Sequence, residues 1–322
     1  MVMVPNFKLL AKGQDITAKI KANLISLSYE DKEGEQSDEI SFSLNGIYAK
    51  PLFGDELELW LGWDELYLCG KFAVQTTAID YKAKTTEVRA TAVNFASAIK
   101  VAKQRTWQET TLFNIAKEIA RANSLNSALK GEDYPVLSAL QDNVSDLDFL
   151  YSLSFDLGYL MKVANGAIII AAKDAKGDDT QTSNTPKNEA LPCFELSLAE
   201  CFELSITEAN RNSYTAVIVQ WHDSADGKDK QIKVGSGEQI YKLEIAEPKS
   251  DNEAFKKGEA KLNELQKGGV NGSLSAVGRE IRTGGKLRIG GVAELDGMEF
   301  SIKSVSHSLN GRGYSVSVEF EG

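Results

Sequence analysis

Histidine is almost missing from this 322-residue chain: there are two, His222 and His307. Neither stands near another histidine or a cysteine cluster, and no H-E-x-x-H or related metal arrangement occurs. Cysteine is scarce as well. Cys69, Cys193 and Cys201 make an odd count at irregular spacing with no C-x-x-C element. Neither a disulfide framework nor a zinc site is expected, and the thiols read as reduced packing residues. No apolar run approaches the ~20 residues a membrane helix needs. The opening Met1-Val2-Met3-Val4-Pro5 lacks a basic segment and is too short in apolar residues for a signal peptide, so synthesis in a cytoplasm is expected. Positive charge is also in deficit: 36 Lys and Arg against 46 Asp and Glu give −10 at pH 7. Attraction to a phosphate backbone needs a basic face, so tight nucleic-acid binding is not expected.

Catalytic signatures are missing too. There is no G-x-S-x-G elbow. Gly285-Lys286 fails as a phosphate loop, because Glu280 stands where the first glycine belongs and Leu287 where Ser or Thr would bind magnesium. Asp146 and Asp148 form a carboxylate pair of the kind that cleaves glycosides. They also open an apolar-periodic segment, where acidic residues are stabilised by the helix dipole, and that reading is preferred. Asp178-Asp179 reads as a solvated loop. No catalytic, cofactor-binding or metal-binding residue is expected, no cofactor, and no enzymatic activity.

What is present is alternation. Hydrophobic residues make up 42% and charged residues 25%, an ordinary globular balance, and the length suits about two or three domains. Ile40, Phe42 and Leu44, and then Leu57, Leu59 and Leu61, alternate with polar neighbours, as strands with one buried face do. Strands are also expected around Phe72–Tyr81 and Thr85–Val93. Trp60 and Trp63 flank Gly62 in this region and suit either a subunit interface or the core. Near Ala96 the period changes. Leu112, Ile115, Ala116, Ile119 and Ala120 recur at helical spacing, with Thr110 or Thr111 as N-cap. Ser145-Asp146-Leu147-Asp148 is a capping box with Asp in place of Glu, and Gly158 ends that second helix. Asn165-Gly166 between two apolar runs signals a hairpin. Residues 174–192 and 224–237 are polar and read as mobile loops. Past Cys193 strands return, interrupted by a helix capped at Ser250 and ended at Gly268-Gly269. Met298, Phe300 and Ile302 are out of phase with Val305, His307 and Leu309, which marks a bulge. Tyr314, Val316, Val318 and Phe320 alternate cleanly.

Two stretches resemble one family. Thr111–Ala120, then Asp146-Leu147-Asp148-Phe149-Leu150 and Leu157-Gly158-Tyr159, form the first. Tyr214, Trp221-His222-Asp223, the helix near Ala254–Leu265, Leu287-Arg288-Ile289-Gly290-Gly291, Val305–Leu309 and Gly313-Tyr314 form the second. In this order and spacing, over roughly 110–320, they resemble the phage late control gene D protein family, which is similar to the N-terminal part of type VI secretion spike proteins. The first ~95 residues fit by β character only.

The resemblance implies a structural baseplate hub of a phage tail or tail-like contractile injection apparatus. It implies a homotrimer whose chains each give two barrel domains, a ring of six that adapts a hexameric tail tube to a trimeric spike. Partners would be a separate tail spike protein, the tail tube and other baseplate proteins. The location would be the virion tail, after assembly in the bacterial host cytoplasm. The expected fold is α+β, mainly β: a barrel-like β domain at 1–95, an α/β insert at 96–174, a linker at 175–192, and a second β-barrel domain at 193–322 with an inserted helix at about 251–267. The alternative is a tail-associated cell-wall hydrolase or a peptidoglycan-binding module on the 96–174 unit.

Overall fold

Period-2 alternation in the first third of the chain becomes seven strands: β1 Asn6–Ala11, β2 Gln14–Asp15, β3 Leu24–Lys32, β4 Glu39–Asn45, β5 Glu56–Gly62, β6 Leu66–Asp80 and β7 Thr85–Ala92, with a short helix, α1, at Thr17–Lys21. They hydrogen-bond in the order β3-β4-β7-β6-β5-β1-β2 with every neighbour antiparallel. Leu27, Ile40, Phe42, Leu59 and Phe72 fill the face that is closed to water. These coordinates are a computed structural model that describes residues 4–33, 37–92, 99–164, 166–172, 192–208, 214–224, 226–248, 250–266 and 270–322. Met1–Met3, the boundary near Ala96, Asn165, Asp178-Asp179, all but the last residue of the 175–192 segment, and Gly268-Gly269 lie outside the described residues.

The middle unit has its own core. β8 Ala102–Thr111 pairs with β10 Pro135–Ser145 as a two-stranded ribbon, while β9 Asn126–Lys130, β11 Tyr159–Ala164 and β12 Ala167–Ala172 form a second small sheet. Helices α2 Leu112–Ala122 and α3 Asp146–Asp156 bury Leu112, Ile115, Ile119 and Leu150 against Ile168 and Ile170. The caps form as the sequence indicates. Thr111 Oγ1 accepts the Asn114 N–H at 3.2 Å, and Ser145 Oγ accepts the Asp148 N–H at 3.0 Å while donating to Asp148 Oδ2 at 2.6 Å. Gly158, at φ 77, ends α3 in the left-handed conformation.

The last third carries β13 Cys193–Ser197, β14 Cys201–Glu208, β15 Ala216–Asp223, β16 Lys228–Gly235, β17 Ile240–Glu244, α4 Asp251–Gln266, β18 Val270–Val277, β19 Lys286–Gly290, β20 Phe300–Asn310 and β21 Gly313–Glu321. Six of these strands run β14-β18-β21-β20-β19-β13. The other three, ordered β16-β15-β17, make a separate sheet that shares a core with α4 through Val217, Val219, Trp221 and Ala254. The insert is therefore β-β-β-α and not a helix alone. The expected loop at 224–237 is corrected for the same reason. β16 is a strand whose side chains are almost all wet, with only Val234 buried, so alternation could not reveal it.

The two β regions are one sheet. β3 and β20 pair antiparallel from Lys32↔Ser304 to Ser26↔Asn310, and of the thirteen strands in the sheet eleven run in one path from β14 to β2, with β19 and β13 branching from β20. The halves also repeat each other. The orders β3-β4-β7-β6-β5-β1 and β14-β18-β21-β20-β19-β13 match strand for strand in chain order. Bulges match as well: β6 and β20 slip after Val74 and Ile302, and β3 and β14 slip after Leu24 and Cys201. One pairing differs, β1 being antiparallel to β5 and β13 parallel to β19. The fold is α+β, mainly β.

Candidate functional site

His307 is fully enclosed on β20. Its Nε2–H donates to the Ile281 carbonyl at 3.3 Å, because a carbonyl can only accept. Nδ1 accepts from Tyr314 OH at 3.0 Å, and Tyr67 OH donates to Tyr314 OH at 2.8 Å. Tyr29 stacks on the imidazole with ring centroids 5.4 Å apart. Burial lowers the histidine pKa to about 4, against a smaller opposing pull from Asp31, so the ring is neutral and packed. His222 lies elsewhere, exposed on β15 beside Asp229 at 2.8 Å. Among the described residues no three His, Cys, Asp or Glu side chains gather as metal ligands.

Asp146 and Asp148 share a helix start but not a task. Asp146 is fully buried and takes Lys103 Nζ at 2.5 Å, Gln141 Nε2 and Asn123 Nδ2 at 3.1 Å, and Arg105. Burial alone would raise its pKa, but these donors together hold it below the ordinary carboxylate value. A glycosidase acid must hold its proton near neutrality, and Asp146 does the opposite. Gly285 precedes β19 and Lys286 begins it, pairing with Glu299 at 2.6 Å. Trp63 is partly buried against the first core and donates Nε1–H to Gly278 O of the other half of the same chain at 2.7 Å, which is core packing.

A buried polar cluster that the sequence did not mark ties the three regions together. Lys162 of β11 donates to Asp31 of β3 and to Thr283 Oγ1 at 2.9 Å, and its ammonium lies 3.2 Å from Asp38. Asp31 also accepts the Thr283 N–H at 3.1 Å and its hydroxyl at 2.5 Å. Its one sequence signal is a lysine inside the apolar run Tyr159-Leu160-Met161-Lys162-Val163. The four side chains are almost closed to solvent.

The open chemistry of this molecule is backbone. β6 pairs with β5 only as far as Ala73, and the same edge of residues 76–80 has no strand against it among the described residues. Among the described residues β14 is bonded to β18 alone. Such edges are templates for a further strand. Beside the β14 edge, Phe202 is 64% exposed. No described helix is long and apolar enough to cross a membrane.

No family model matches the chain. Two curated relatives, the probable baseplate hub proteins of Escherichia phages P2 and 186, align over 99% of this chain and 93% of their own length at 25% and 23% identity. The solved tail protein of Neisseria meningitidis superposes with a TM-score of 0.71 at 9% identity, covering 99% of this chain and 96% of that one. An Escherichia coli component of the type VI secretion system gives 0.55 at 12% identity over 92% of this chain and 73% of its own. The resemblance read from the sequence, to phage baseplate hubs and type VI spike-related proteins, is thus met over the full length.

Proposed function

We propose that this chain is the structural hub of a phage tail or tail-like contractile injection apparatus. Three copies make a ring of six β lobes that adapts a sixfold tail tube to a threefold spike. The observation that carries the reading is the internal repeat: two halves of matching strand order and matching bulges in one ladder. Closed symmetry restricts which surfaces can meet. A chain with two like lobes presents six near-equivalent positions from three copies. The lobes are 1–95 and 193–322, the unit at 96–174 is tied to both through Lys162, and 175–192 links the unit to the second lobe. The partners are the spike, the tail tube and other baseplate proteins, and the place is the virion tail, reached from the host cytoplasm.

The role is non-enzymatic in this reading. The one carboxylate pair that suggested cell-wall hydrolysis has its first member locked in four donors. The net charge of −10 suits a lumen through which nucleic acid passes without adsorbing. Density for the hub in assembled tails tests the proposal. Six lobes from three chains support it; six chains, or one lobe per chain, sink it.

A further inference from the structure

The joint inside the chain implies a joint between chains. In the second half, β20 pairs with β19 only at Lys286↔Ser301 and Leu287↔Phe300, and its remaining edge is closed by β3 of the first half. By strand order, β6 is the counterpart of β20 and β14 the counterpart of β3. The bulges set the correspondence residue by residue. Ser304 answers to Thr76, so His307 answers to Ile79. Ser26 answers to Glu203, so Tyr29 answers to Ile206. Among the described residues, the edge of β6 that matches the closed edge of β20 is unpaired, and so is the edge of β14 that matches the closed edge of β3.

We propose that copies of this chain join head to tail by the same joint. Residues 76–80 of one copy pair antiparallel with β14 of the next in the register Thr77↔Glu208, Ala78↔Thr207, Ile79↔Ile206 and Asp80↔Ser205. This rests on the three-copy reading and supplies its contact surface. The internal pairs His307↔Tyr29 and Ser306↔Glu30 are the pattern.

The side chains agree with that register. Ile79 meets Ile206, and beyond it the exposed Tyr81 comes opposite Leu204, so apolar meets apolar on one face. On the other face Ala78 meets Thr207 and Asp80 meets Ser205. Thr77 Oγ1 is buried without a hydrogen-bond partner among the described residues, and the register sets the Glu208 carboxylate of the next copy opposite it as an acceptor. Neither edge carries lysine or proline, the residues that blunt a strand against pairing. The wet strand β16, by contrast, carries Lys228, Lys230 and Lys233. A head-to-tail contact gives a closed ring or an open filament. Here each copy supplies one internal joint and one external joint of the same kind, so three copies alternate the two around a ring of six.

Disulfide trapping in assembled tail particles tests the register. In a Cys193→Ser, Cys201→Ser background, Ala78→Cys with Thr207→Cys should give covalent dimers and trimers under oxidation, and neither single variant should. Ala78→Cys with Ser205→Cys sits one pleat repeat out of register, beyond the reach of a disulfide, and should link about tenfold less. Trimeric hubs without the Ala78–Thr207 link, or with the out-of-register link dominant, overturn this joint and leave the three-copy reading standing. Six chains per particle overturn that reading itself. Should the paired variant fail to assemble, strand-resolved density of the wild-type tail decides between a β14 strand beside residues 76–80 and none.

Discussion

The Lys162 ammonium lies 3.2 Å from the Asp38 carboxylate while it also donates to Asp31, so one cation of the middle unit serves two carboxylates of the first β half. All three are buried. Asp31 has the larger share of donors, because Thr283 adds a backbone N–H and a hydroxyl. Among the described residues Asp38 has the Lys32 N–H at 3.1 Å besides the lysine.

Lys162→Met keeps the aliphatic bulk and removes the charge. Two buried carboxylates then face each other without a cation, and breaking a buried pair from one side costs about 3–5 kcal/mol. Urea denaturation at pH 7.5 should show a loss of this size. A loss below about 1 kcal/mol would mean that water reaches the cluster.

Asp38 gives the cluster a pH dependence of unusual sign. Burial, outweighing Lys162, raises its pKa from 3.8 to about 6. The folded chain therefore binds this proton more tightly than the unfolded chain does. Ionised Asp38 costs stability above about pH 6, and the cost fades as the pH falls from about 6 towards 4. Asp38→Asn should be more stable than wild type at pH 7.5, by roughly 1–3 kcal/mol, and no more stable at pH 4. His307 runs the other way: held at about 4 against 6.5, it removes stability as pH falls through that window. In the Asp38→Asn variant the histidine effect should no longer be offset by Asp38, giving a steady decline in urea midpoint from pH 6.5 to pH 4.

Trp63→Phe should lower stability by about 1–2 kcal/mol, the cost of leaving the Gly278 carbonyl without its donor. The loss should appear as earlier hydrogen exchange at Gly278 and Tyr314, whose ring lies 6.0 Å from the indole. Uniform exchange across both halves would argue against a local tie.

Gly258→Ala should destabilise, although alanine is the better helix former by about 1 kcal/mol. A Cβ there would sit 2.6 Å from Val219 Cγ2 and 2.7 Å from Val234 Cγ2, so α4 must lift from its sheet. A rise in melting temperature would show that the helix has room to move.

Helix caps, the bulge in β20 and the clean alternation of β4, β5 and β21 were legible because each is a local pattern with a local cause. Thr111 and Ser145 cap as their neighbours require. The bulge falls between Ile302 and Ser304, where the apolar phase changes. The β8 and β10 ribbon escaped notice because burial along it does not alternate: Val136 is buried, while Leu140, on the same face of the strand, is 63% exposed. The internal repeat was expected only through the family resemblance and not from the residues themselves, because it is kept by backbone and not by side chains. Phe72 and Phe300 correspond, yet His307 answers to Ile79 and Tyr29 to Ile206. The Lys162 cluster joins residues far apart in the chain, and nothing in a single sequence pairs them.

The β3–β20 joint also sets an order of events during synthesis. β3 emerges among the first residues, and its partner β20 is made almost at the end of the chain. Contacts between such distant segments form slowly, and domains made first fold first. The first half therefore waits on the ribosome with the β3 edge uncovered, while the middle unit, built from near neighbours, closes its own core. Only when β20 arrives is that edge sealed. A chain that stalls short of it carries one more open strand edge than the finished protein, and association of incomplete chains should start at β3.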